Sequence, residues 1–222
     1  MNNKKRFIIK ILLAAGLVLT GCSSKVAEQK QFSGFLGDYS TLQVADSPSG
    51  HKVLRWIAPG FKESDFRGVY FAPLIFYPPA HPNTRISQDT LNQIRQYASG
   101  QIRNAIAERS TLLDSSSGSR VLVAQVAITA VTAENEDMKF YEVVPVAAVI
   151  ASTMAASGHR TQNATLFIEA KLIDQDTGKT VFAVVRKGYG RNVRNNSAPI
   201  TADDVKPVID AMVADIVHFP KQ

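Results

Sequence analysis

The chain has 222 residues, 45% of them hydrophobic and 20% charged, which is ample for one packed core. Its formal charge of +6 is concentrated at the start, because Lys4, Lys5, Arg6 and Lys10 fall in the first ten positions and only +2 is left without them. A nucleic-acid or polyanion reading based on net charge therefore has no support, and a single cysteine excludes an internal disulfide.

The first element is an export signal. Lys4, Lys5 and Arg6 precede an apolar core from Ile11 to Leu19, and small residues follow. A membrane-spanning helix needs about 20 apolar residues, whereas Lys10 interrupts this stretch and Ser23, Ser24 and Lys25 follow it. Leu19-Thr20-Gly21-Cys22 resembles the bacterial lipobox. That resemblance implies that Cys22 carries diacylglycerol through a thioether and, after cleavage, an N-acyl chain; no other cofactor is expected. The expected organisation is a signal peptide over 1–21, a lipidated cysteine with a polar tether over 22–31, and a single periplasmic α/β domain over 32–222. Ser23 stands where aspartate would resemble an inner-membrane retention signal. A periplasm-facing anchor in the outer membrane is therefore expected, with the outer leaflet of the inner membrane as the alternative.

Beyond the tether, Gly34-Phe35-Leu36-x-Asp38-Tyr39-Ser40-x-Leu42 mixes aromatics with turn formers. Val144-Pro145-Val146 later leads into a small-residue run ending at Gly158. Ile168-Glu169-Ala170-x-Leu172-x-Asp174 then precedes Thr177-Gly178. Together these words resemble the bacterial lipoproteins grouped as domain-of-unknown-function family 3313. Gly37 departs from the more polar residue expected there. The resemblance implies class and location and carries no activity.

Val53 to Ile57 and Gly68 to Phe71 are strand candidates, rich in branched and aromatic residues. Pro73, Pro78, Pro79 and Pro82 make Leu74 to Tyr77 an edge or strand exit, since proline donates nothing to a ladder. Ser87 and Asp89 start the clearest helix, in which Leu91, Ile94, Ala98, Ile102, Ala105 and Arg109 recur at helical spacing. Val121 to Val131 carries apolar residues on both faces and reads as a central strand. Asn163 to Asp174 and Lys179 to Tyr189 form the best hairpin, with Gly178 supplying a left-handed turn position. Leu166, Ile168, Ala170 and Leu172 share one face; Thr165, Glu169 and Lys171 lie on the other. Asp204 opens a last helix with Pro207 in its first turn and Val205, Val208, Ile209, Met212, Val213 and Ile216 as its buried stripe. The fold class is α+β, an α/β two-layer arrangement. A mixed or antiparallel sheet of about four to five strands packs with two main helices.

Chemical motifs are weak. Asp174 to Gly178 lacks the ligand pattern of an EF-hand loop and reads as a polar turn. Gly188-Tyr189-Gly190 fails as a dinucleotide loop because Val193 occupies the third glycine position. His51, His81, His159 and His218 lack helical zinc spacing, and no Gly-x-Ser-x-Gly elbow or phosphate loop is present, so no metal site or catalytic residue is assigned. Arg186, Lys187, Arg191 and Arg194 cluster as a patch for an anionic partner, against the plainer reading of a solvated hairpin end. Trp56, Tyr39 and Tyr70 offer a sugar-stacking surface, or ordinary strand packing. The uncharged stretch from Val143 to Ser157 offers Val146, Ala148, Val149, Ile150 and Met154 as a docking segment, against a buried helix. The leading expectation is a lipid-anchored, non-catalytic envelope module that meets the membrane through its anchor and an envelope protein as partner, with no nucleic acid. An envelope enzyme acting on peptidoglycan or lipid and a secretion-pore subunit are the alternatives.

Overall fold

A computed structural model describes residues 26–27, 29–135, 162–194 and 197–222. The signal peptide, Cys22, Ser23, His159 and the whole stretch from Val143 to Ser157, with Val146, Ala148, Val149, Ile150 and Met154, lie outside them.

Eight strands are present among the described residues: β1 (Gln43–Asp46), β2 (Lys52–Ile57), β3 (Gly68–Phe71), β4 (Ile75–Phe76), β5 (Leu112–Leu113), β6 (Val121–Asn135), β7 (Gln162–Asp174) and β8 (Thr180–Val193). They form one mixed sheet in the order β1-β2-β8-β7-β6-β3-β5, with β4 also paired to β6. The α+β class holds, but the expected four to five strands is an undercount. β4 and β5 have two residues each and β1 has no alternating pattern, so their pairing comes from the sheet that recruits them rather than from local preference.

β3 and β6 are parallel, a pairing that requires a crossover, and helix α1 (Gln88–Arg109) provides it. Ser87 caps α1 by accepting from the Thr90 amide at 3.0 Å. Leu91, Ile94, Ala98, Ile102, Ala105 and Ile106 are its buried positions, so the helical spacing identified the core face. Helix α2 (Ala202–His218) begins earlier than expected. Thr201 is its N-cap, and the Asp204 carboxylate accepts from the Thr201 amide at 2.8 Å. Pro207 consequently sits in the second turn rather than the first. The two helices join through the Tyr97 hydroxyl, which donates to Asp210 at 2.6 Å, and the Lys206 ammonium lies over the Tyr97 ring.

β6 is buried on both faces because the helices cover one and the N-terminal arm lies on the other, and its phase changes along its length. Leu122, Ala124, Val126 and Ile128 face the helices at every second position, a bulge falls between Ile128 and Ala130, and Val131 and Ala133 then take over that face. Ala130 points to the other side, where Ala27, Phe167 and Val185 form a second small cluster under Phe32, Leu36, Tyr39 and Leu42. The sheet thus carries two helices on one face and an irregular N-terminal arm on the other. Ala27 and Gln31 are buried. The end of the stretch expected to be a free tether is therefore part of the domain, held by apolar contact that a polar sequence did not advertise.

Candidate functional site

The outer face explains what the two best-defined sequence words do. Glu169 is wholly buried on β7, and its carboxylate accepts from the Ser33 amide at 2.9 Å and the Tyr39 hydroxyl at 2.5 Å. Phe32 stacks on Tyr39 at 4.4 Å between centroids, and the Lys171 ammonium donates to the Phe35 carbonyl at 3.0 Å. The Tyr39 oxygen also accepts from the amides of Gly34 and Leu36. The Gly34 to Tyr39 word and the Ile168-Glu169-Ala170 word, more than a hundred residues apart, are the two halves of one clasp.

Burial first, and then the bond to Glu169, push the Tyr39 phenol from 10.0 up to about 12. The folded value exceeds the unfolded one, so the stabilisation from this donor is complete below pH 10 and is lost as pH climbs through 12. Tyr39→Phe is expected to cost about 1.5–3 kcal/mol at neutral pH, because a buried carboxylate loses a donor. Unfolding midpoints measured from pH 8 to 12 should show the gap between wild type and variant closing above pH 10. A gap independent of pH would remove the phenol from this role.

On the opposite face, the two helices and the sheet border an apolar cavity of about 220 Å³ that is partly open to solvent. Val53, Phe66, Ile102, Val126, Ile168 and Met212 line it, and Glu63, Arg109, Arg186 and Asp215 contribute its charged wall. The C-terminal end of the cavity is organised by Arg109, which donates to the carbonyls of Ile216 and Phe219 and pairs with Glu63. The Phe219 ring meets Phe182 edge-on at 5.7 Å and carries the Arg55 guanidinium at 4.8 Å.

The basic cluster does not form one patch. β8 alternates, so Arg186 turns to the helix side, where it pairs with Asp215 of α2 and donates to the Ser49 hydroxyl at 3.3 Å. The Ser49 amide in turn donates to Asp215 at 2.7 Å. Arg186 and Asp215 are both buried; burial pulls the guanidinium down to about 10, so it stays protonated at neutral pH. Lys187 turns to the outer face and is also buried, with its ammonium over the rings of Phe167 and Tyr189. Only Arg191 and Arg194 are exposed. The solvated-hairpin reading is corrected for Arg186 and Lys187: the hairpin runs beneath α2 on one side and beside the arm on the other.

Asp215 and Ser49 were not singled out from sequence. Asp215 had a legible signal, because it falls three residues after Met212 on the apolar stripe of α2. Trp56 on β2 and Tyr70 on β3 are separated by three strands, and Tyr39 is spent in the clasp, so these aromatics do not make one stacking surface. Asp174 closes its own turn, accepting from the Asp176 amide at 2.9 Å and the Thr177 hydroxyl at 2.7 Å. Among the described residues no three His, Cys, Asp or Glu side chains gather as metal ligands, and no helix is long and apolar enough to cross a membrane.

The fold and its two faces define a class: an α+β domain with a helical layer over an apolar cavity and an N-terminal arm clasped to the reverse of the sheet. The chain belongs to the DUF3313 family, described as a protein of unknown function, whose profile matches residues 31–216. It is 40% identical over 211 residues to the uncharacterized lipoprotein YdcL of Escherichia coli K12, with 95% of both chains covered. YdcL of Escherichia coli O157:H7 matches equally. The lipoprotein class of these relatives agrees with the Leu19-Thr20-Gly21-Cys22 tetrapeptide. Among solved structures, the PelC dodecamer of Paraburkholderia phytofirmans is 11% identical over 76% of this chain and 98% of that one, with a TM-score of 0.39. A likeness at that score carries no argument.

Proposed function

We propose that this protein is a lipid-anchored, non-catalytic accessory module of the cell envelope, held by acylated Cys22 at the outer membrane with its domain facing the periplasm. The observation that carries this reading is the seating of Ala27 against the sheet, five residues after Cys22. Five residues span at most about 18 Å, so the anchor holds the arm-covered face close to the bilayer instead of releasing the domain on a long leash. Ser23 after the cysteine supports outer-membrane sorting. The non-catalytic part is supported by what the buried carboxylates do: Glu169 takes two donors from the arm, and Asp215 takes the Ser49 amide and Arg186. Both act as structural acceptors in place of a catalytic base.

Cys22→Ser is expected to abolish acyl labelling and release the protein from the membrane fraction or leave it unprocessed. In a host using the aspartate retention rule, Ser23→Asp should move it to inner-membrane gradient fractions. Undiminished labelling of the first variant would overturn the anchor, and an unchanged profile of the second would overturn the sorting.

A further inference from the structure

The cavity between helices and sheet is larger than the roughly 150 Å³ apolar cavity that suffices to take up benzene. Its lining is apolar apart from a few charged groups, and two of these, Arg186 and Asp215, lack a full set of partners. Arg186 lies in the wall with its side chain only 8% exposed; its Nε–H is buried and meets no acceptor among the described residues, although the terminal nitrogens reach Asp215 and Ser49, and the Oδ2 of the equally buried Asp215 likewise has no hydrogen-bond partner there beyond its ion pair with Arg186. A buried donor of this kind calls for an oxygen. We infer that the cavity is a binding site for a single acyl chain bearing a neutral carboxyl or ester oxygen, since Asp215 already balances the Arg186 charge, with the chain lying among Val126, Ile168 and Met212 and the oxygen accepting from Arg186. The module's own anchor is not the occupant. Its last docked residue, Ala27, is on the reverse of the sheet, and the cavity lies on the helical side. The inference does not depend on the anchoring role proposed above.

The test uses the full-length purified protein mixed with phospholipid vesicles, whether or not it is acylated, and two photoreactive probes: a ten-carbon fatty acid bearing a diazirine, and a phosphatidylethanolamine bearing the same group in one acyl chain. After illumination, adducts are mapped by peptide mass spectrometry. Adducts on Val126, Ile168 or Met212 that fall at least tenfold when unlabelled decanoic acid is in excess are expected. Labelling by the fatty acid alone identifies a free acid as the source, and labelling by the phospholipid identifies a membrane lipid. Ala170→Phe, which fills the cavity from the sheet, should remove these adducts while the protein remains folded. If that variant does not fold, Val126→Ala, which enlarges the cavity, decides: adduct yield at Ile168 and Met212 should rise. Adducts confined to exposed residues, or cavity adducts indifferent to whichever of these variants folds, would overturn the assignment.

Discussion

Gly190→Ala is expected to lower stability by about 3 kcal/mol, at the upper end of what overpacking costs. For a domain of this size that moves the unfolding midpoint by roughly 10 °C. The cause is the approach of α2 to β8. A methyl at position 190 would meet the Asp204 carbonyl oxygen at 1.9 Å, and one at position 188 would meet the Val208 Cγ1 at 2.3 Å. Both obstacles belong to α2, but they differ in kind. Val208 is a side chain and can be trimmed; the Asp204 carbonyl is backbone and cannot move without the helix. Val208→Ala should therefore restore a good part of what Gly188→Ala costs, with a coupling of about 1 kcal/mol or more, while no α2 side-chain truncation rescues Gly190→Ala. Thermal melts of the two singles and the double decide it. A neutral Gly190→Ala would mean that α2 does not lie this close to the sheet.

Arg186→Ala and Asp215→Ala are each expected to cost about 3–5 kcal/mol, because either one leaves its partner charged and buried without a countercharge, with only Ser49 to meet it. Arg186→Met combined with Asp215→Leu should recover most of that loss, since replacing both charges by packed apolar groups removes two desolvation penalties. Arg191→Ala and Arg194→Ala, on exposed positions of the same cluster, should each change stability by under about 1 kcal/mol. Reversing all four basic residues together therefore unfolds the domain through Arg186, with Lys187 adding to the loss. Chemical denaturation of the four singles and the double separates the residues. Equal and small effects at 186 and 191 would show that the Arg186 pair is not structural.

The same residues show how legible the chain was. Gly188-Tyr189-Gly190 is visible as a motif, yet its meaning, a flat track for α2, needs the helix in place. The strands that carry a strong period, β7 and β8, read directly, as did the turn at Gly178, where φ is +67°. β1 and β5 did not, because two to four residues carry no period, and β4 was legible only as part of the edge or strand exit from Leu74 to Tyr77. The cluster from Arg186 to Arg194 was legible as charge but not as geometry: strand alternation divides it between two faces, and what covers each face decides which charges are buried.

Sequence by itself determined the anchor motif, the two helices, the central hairpin and the family, since each rests on local order: capping residues, a 3.6- or 2-residue period, or a fixed run of residue types. Only the tertiary structure decided the rest. The clasp joins Tyr39 to Glu169 across 130 positions, the buried pair joins Arg186 to Asp215, and the cavity is bounded by side chains from both helices and five strands. Such features depend on which faces meet, and a linear pattern records the face a residue occupies without recording the partner it finds there.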